Sequence, residues 1–216
     1  MRVRRLWDIS QRLRPALPVW PGDTRFATSV SASVAGGSSV NVHHLTLSTQ
    51  SGTHAESANH VRDDSPSLDR VDLQAFIGYC VVVDVSSDSD VDAQGRVTRE
   101  AVLRHLPMQV ERVLLRTFRE PDWCSWPDDF TAIDPSLIDE LAVRGCRLIG
   151  TDAPSVDPQH CKQLLSHHAC HRAGMVILEG LVLDSVPEGP FELIALPLSI
   201  DGVEATPVRA VLRELY

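Results

Sequence analysis

Two short stretches of this chain carry residues able to hold a metal ion. In QSGTHAESANH, residues 50–60, His54, Glu56 and His60 follow the pair Ser51-Gly52, which should interrupt regular structure. If residues 53–57 run extended, His54 and Glu56 project to the same side of the backbone. Imidazole nitrogen and carboxylate oxygen together suit a divalent cation. The competing reading is a Ser-, Thr- and Asn-rich loop that carries its polar residues into solvent. Two familiar zinc motifs do not apply. The deaminase His-x-Glu needs a downstream P-C-x-x-C, which is missing, and there is no helical H-E-x-x-H. The second stretch is LLSHHACHRAGMVILEG, residues 164–180. Here His167, His168 and His171 fall on an expected helix, and Glu179 ends the apolar run MVIL. Taken singly, each histidine reads more readily as a surface helix position, and Glu179 as a solvated strand end.

The elements that must position these residues follow from periodicity. Apolar, β-branched runs at 79–85, 110–117, 146–152, 175–180 and 191–200 read as strands, several buried on both faces because they barely alternate. Between them lie helical patterns. The clearest has Asp134 as N-cap, Pro135 at the first helical position and Gly145 past the end. Others cover 98–106 and 160–173, and the tail 206–215 is expected to form a closing helix. Alternation of strand and helix through 79–180 implies an α/β middle. Segments 25–34 and 41–49, around the turn-forming AGGSS, alternate polar and apolar residues and suggest an antiparallel, half-exposed start. Residues 86–95 read as a polar loop. The expected fold is α/β, a single domain over residues 1–216 with a mixed sheet flanked by helices.

Composition narrows the function. The 216 residues carry a formal charge of −9, which argues against nucleic-acid or anionic-membrane partners. Five cysteines, without a C-x-x-C pair, indicate neither a disulfide framework nor a thiolate zinc site and fit a reducing cytosol. The opening MRVRRLWDISQRLRP lacks the apolar core of a signal peptide, and no apolar run approaches a membrane span. A cytoplasmic protein acting on a small molecule is expected.

The sequence resembles the bacterial cyclase-like metal hydrolases, and among them the bacterial kynurenine formamidases (arylformamidases). The family signature H-x-G-T-H-x-D-x-P-x-H is matched here by Gln50, Gly52, Thr53, His54, Glu56, Ala58 and His60. The likeness extends to LWDIS and PVWPGDT near the start, GTDAPSVDPQH at 150–160, and ILEGLVLDSVPEGPFELIALPL and TPVRAVLREL towards the end. It implies a homodimer of mixed α/β fold, with one subunit's N-terminal segment reaching toward the other's site. It also implies one or two divalent ions, zinc expected and manganese the alternative. Carried over by position, His54 is a metal ligand, Glu56 takes the bridging-carboxylate place, and His60 is the general acid/base. The family spacing selects His167 over His168, with Glu179 as the second carboxylate. Trp20 corresponds to an aromatic residue that packs on the substrate ring, although PVWPG also reads as a structural turn. The implied reaction is hydrolysis of N-formyl-L-kynurenine to L-kynurenine and formate in tryptophan degradation.

Three positions depart from the signature. Gln50, which takes a metal-ligand place, replaces a histidine and exchanges a good zinc donor for a neutral amide oxygen that suits harder ions better. Glu56 replaces aspartate and lengthens the carboxylate by a methylene; Ala58 replaces proline. Three readings follow: a formamidase with altered metal use, a relative acting on another substrate such as an isatin-type lactam or a secondary-metabolite intermediate, or a binding protein that has lost catalysis. His43, His44, His160 and His171 are expected to have surface or packing roles.

Overall fold

The structure is a computed structural model and describes residues 5–215. In chain order the first strands are β1 (Leu6–Asp8), β2 (Ala27–Ala32), β3 (Val42–Thr46), β4 (His54–Glu56) and β5 (Ile77–Asp84). Then come β6 (Arg96–Val97), α1 (Arg99–Leu103), β7 (Arg112–Arg116), β8 (Ala132–Ile133), α2 (Pro135–Val143) and β9 (Leu148–Thr151). The rest comprises α3 (Leu165–Ala173), β10 (Val176–Glu179), β11 (Gly189–Ile194), β12 (Ala205–Pro207) and β13 (Val211–Glu214). Nine strands form one mixed sheet in the order β1-β13-β11-β5-β7-β9-β10-β4-β12. Its centre, β5-β7-β9-β10, is parallel, and the strands outside it pair antiparallel. This is the α/β architecture that the apolar runs predict.

Both faces of the parallel centre are buried, which explains why its strands barely alternate. Val81, Val83, Val113, Leu115, Ile149 and Ile177 face the helices and pack on Val102, Leu137, Leu141 and Ala169. Val82, Leu114, Leu148 and Leu178 face a second core with Trp7, Ile9, Phe76, Leu193 and Leu212. The sheet curls around that second core. Ile9 N–H donates to the Ala210 carbonyl and Val182 N–H to the Ile9 carbonyl, so the first strand is tied to the segment after β10.

The helix α2 follows its capping signals: the Asp134 carboxylate accepts from Ser136 N, and Gly145 adopts φ 85° just beyond the end. Two helices are shorter than their patterns predict. Thr98 caps α1, which ends at Leu103, and α3 begins at Leu165 rather than near 160. Leu164, at φ 44°, offers no side-chain cap to α3; the Asp157 carboxylate takes the Ser166 and His167 N–H groups instead. The expected closing helix at 206–215 is not formed. It is β12 and β13: Ala210 and Leu212 are buried while Arg209 is exposed and Val211 and Arg213 are only partly covered, a period of two rather than 3.6. The antiparallel start is a separate hairpin, β2–β3, in which nearly every residue is exposed rather than half of them. No helix among the described residues is long and apolar enough to cross a membrane.

Candidate active site

The two stretches with candidate ligands meet through strand register. In the antiparallel pair β10–β4, Glu179 lies opposite His54 and Ile177 opposite Glu56. Directly opposite residues share a face, as do residues two apart, so His54, Glu56 and Glu179 all point to the helix-covered side with Ile177. There α3 supplies His167. All four side chains are buried. His54 Nε2 is 3.3 Å from Glu179 Oε2; His167 Nε2 is 3.0 Å from Glu56 Oε1 and 3.7 Å from Glu179 Oε1.

Three of the four, His54, His167 and Glu179, are oriented by a further hydrogen bond. His54 Nδ1 donates to the Gly52 carbonyl at 2.9 Å, leaving Nε2 to face the carboxylates. His167 Nδ1 donates to Asp157 Oδ2 at 2.7 Å, and Val156 N–H donates to Glu179 Oε1 at 2.8 Å. Imidazoles that hold metals characteristically donate their other nitrogen in this way. Gly180, at φ 63°, closes the cluster against the loop before β4: a Cβ there would stand 2.7 Å from the Gly52 carbonyl oxygen. His60 sits at the exposed edge, with Nε2 3.9 Å from Glu56 Oε2 and its ring 5.4 Å from that of His167.

The electrostatics are those of protons standing where a cation would. Burial opposes a charge on Glu56, but His167, His60 and His54 outweigh it and hold the carboxyl down at about 2. Burial likewise works against protonated His167 and His54, yet Glu56 with Asp157, and Glu179, raise them. His54 Nε2 and both Glu56 oxygens are nevertheless buried without a hydrogen-bond partner. Buried groups of this kind are costly unless something else satisfies them. The donor atoms of His54, Glu56 and Glu179 lie within 4.8 Å of one another, as do those of Glu56, His60 and His167. Nitrogen and carboxylate oxygen in this arrangement fit a divalent cation.

Above this floor opens a cavity of about 570 Å³ whose lining includes Trp20, Gln50, Phe118, Trp123, Trp126 and Asp152. Trp20 and Trp126 meet edge to face at 5.4 Å, and Phe118 and Trp123 at 6.1 Å. The loop after β7 brings three of these rings, and Asp152 anchors its root by accepting from Thr117 N, Thr117 Oγ1 and Phe118 N at 2.8, 2.6 and 3.2 Å. Burial pushes the Asp152 carboxyl up to about 6 against those hydrogen bonds.

A family model described as putative cyclase matches residues 7–158. The chain belongs to the cyclase family. Kynurenine formamidase of Maricaulis maris is 46% identical over 214 residues, covering 99% of this chain and 100% of that protein. Kynurenine formamidase of Erythrobacter litoralis is 46% identical over 215 residues, 98% and 95% of the two chains. Among solved structures, a potential metal-dependent hydrolase with cyclase activity superposes with a TM-score of 0.83 at 22% identity, covering 99% of this chain and 100% of its own. Isatin hydrolase A from Labrenzia aggregata gives 0.82 at 25% identity, covering 97% and 93%.

Within this cyclase-family fold the structure brings His54, Glu56, His167 and Glu179 together and leaves His60 at their boundary with the cavity. Trp20 is 36% exposed in the cavity wall, not in the core. Gln50 lines the cavity, but its amide nitrogen lies against His60 Nδ1 and Glu204 Oε1, at 3.2 and 3.3 Å. Four residues escape a reading of the sequence: Asp157, Asp152, Trp126 and Glu204. The run GTDAPSVDPQH entered only through the family likeness, and nothing local in it shows that its two aspartates reach α3 and the root of the loop after β7.

Proposed function

We propose that the protein is a cytoplasmic, homodimeric hydrolase that uses a single zinc ion to cleave N-formyl-L-kynurenine into L-kynurenine and formate. The observation that carries this is the convergence of His54, Glu56, His167 and Glu179 on the floor of an aromatic-walled cavity. The two kynurenine formamidases at 46% identity over nearly the whole chain support the substrate. His54, Glu56, His167 and Glu179 would hold the ion. When bound, it polarises a carbonyl and lowers the pKa of bound water from 15.7 toward about 7.

The chain's own residues do the rest. Trp20 and Trp126 offer apolar faces and edges to an aryl ring, excluding water and directing the formyl group to the floor. Asp157 and the Gly52 carbonyl fix the two imidazoles so that each Nε2 faces inward. His60, between floor and cavity, can present a proton to the departing aryl nitrogen. Water adds to the formyl carbon, the carbon–nitrogen bond breaks, and the nitrogen leaves as the amine.

The hairpin β2–β3 supports the dimer. Its Val30, Val42 and Leu45 are exposed, and an isolated two-stranded ribbon is marginal in water. Five free cysteines fit a reducing compartment. A lactam substrate is the second reading, favoured by the likeness to isatin hydrolase A, since ring opening uses the same attack on an amide carbonyl. Turnover of N-formylkynurenine and isatin should be measured on the purified protein, after chelation, and after zinc or manganese is returned. The reading expects formamidase activity that chelation abolishes and zinc restores. Metal-loaded protein that turns over neither compound would overturn it.

A further inference from the structure

Gln50 occupies the place where the family signature has a histidine, and its side chain joins two other groups. Its amide nitrogen is 3.2 Å from His60 Nδ1 and 3.3 Å from Glu204 Oε1. The amide orientation is fixed by Glu204, because a carboxylate only accepts hydrogen bonds and would face the amide oxygen as a second acceptor if the group were turned round. Glu204 is itself held. Its Oε1 accepts from Thr49 Oγ1 at 2.6 Å, and its backbone carbonyl accepts from Ser57 N at 2.9 Å and Ser57 Oγ at 3.2 Å. An amide nitrogen has two hydrogens. One is directed at Glu204, and the other meets His60.

We infer that Gln50 is a positioning residue for His60: braced by Glu204, it donates to Nδ1 and so places the proton of the neutral imidazole on Nε2. That nitrogen is the one facing Glu56 and the floor. His60 therefore meets a substrate with an N–H, as a hydrogen-bond donor. A histidine ring nitrogen that accepts a hydrogen bond cannot also carry the proton, so its partner decides the tautomer. The exchange of histidine for glutamine at position 50 thus adds a brace on the proton-bearing residue. The catalytic consequence rests on the hydrolase reading above; the tautomer does not.

Ring-nitrogen NMR of the histidine-labelled protein as purified, at about pH 8 where an ordinary imidazole is neutral, reads the tautomer directly. The His60 signals are identified by their loss in His60→Gln. The expected result is a protonated Nε2 in the parent chain, and a mixture of tautomers in both Gln50→Leu and Glu204→Gln. Turnover number should fall about 10-fold in both variants, part of what a positioned proton donor contributes, with KM and metal content within about twofold of the parent. A proton on Nδ1 in the parent would overturn the inference. So would a Gln50→Leu protein that keeps the His60 tautomer and holds metal about 10- to 100-fold more weakly, the mark of a ligand or its immediate support. If no substrate is turned over at all, the hydrolase reading fails in the assay while the spectrum still decides this one.

Discussion

The floor of the site and its wall are built by different means. On the floor, His54, Glu56 and Glu179 come from paired strands and His167 from a helix packed on them; His54, Glu179 and His167 are each fixed by a further hydrogen bond, and Glu56 lies against His167. The wall is mostly the irregular segment between β7 and β8, whose Phe118, Trp123 and Trp126 are secured through side chains. Asp152 holds its root, Arg14 reaches the Trp123 carbonyl at 3.4 Å, and Trp126 Nε1 donates to Gln159 at 2.8 Å. Metal coordination tolerates errors of about 0.2 Å, so ligands belong on elements whose register cannot slip. An aryl ring needs area and shape, which a loop on a rigid scaffold can supply. Floor substitutions should therefore act on metal and turnover, and wall substitutions on substrate affinity.

The largest effect is expected from Glu56→Gln. It keeps the shape but removes the charge that holds protonated His167 and His54, and leaves a neutral amide among the donors. Metal affinity and activity should each fall by more than about 100-fold, since even the neighbours of ligands are worth 10- to 100-fold. Elemental analysis beside the turnover number checks this. Retained metal with retained activity would remove Glu56 from the floor. Next comes Asp157→Asn, which touches no substrate. The carboxylate accepts three N–H groups, from Ser166, His167 and the His167 ring, and an amide cannot accept all of them. Metal affinity should weaken about 10- to 100-fold, read by competition with a chelator, with KM for substrate nearly unchanged.

The same contrast governs what the sequence reveals. His54 and Glu56 were legible as a pair because a strand's period of two is visible in three residues, whereas His167 and Glu179 were picked out only by the spacing that the family likeness implies. The register that sets Glu179 opposite His54 is a long-range pairing that no local pattern encodes. Asp157 was hidden for the same reason: nothing in SVDPQH marks it, and its work depends on a helix starting eight residues later. The tail was misread where helix and strand patterns overlap, in a short run whose burial alternation appears only once Leu212 faces the inner core. Trp126 followed no period at all, because the wall is not regular structure.

Proton and metal compete for the floor, which gives a pH test of its construction. In the metal-free protein, His54 and His167 are raised above the usual imidazole value of about 6.5, so their stabilisation is complete below that pH and is lost as pH rises through the raised values. Glu56 runs the other way. Held at about 2, it stabilises fully above the usual glutamate value and loses that contribution as pH falls toward 2. A divalent ion needs the imidazoles neutral, so its added stabilisation should grow from about pH 5.5 to about pH 8. Comparing Tm with zinc and with chelator across that range measures it. A gap that narrows toward alkaline pH would separate the cation from this cluster.

The smallest effect is expected at the wall, from Trp126→Ala. The ring meets Trp20 edge to face and is tied to Gln159 by one hydrogen bond, so truncation opens the cavity without reaching any donor atom of the floor. An aromatic contact of this kind is worth about 0.5–1.5 kcal/mol, which corresponds to a rise in KM of roughly 2- to 13-fold, with metal content unchanged. Turnover number should hold to within about threefold, because the proton on His60 and the groups around it are untouched. Steady-state kinetics on N-formylkynurenine separates the two parameters. If the turnover number fell and KM did not, the wall would be acting on the chemistry, and the division of labour between sheet and loop would have to be abandoned.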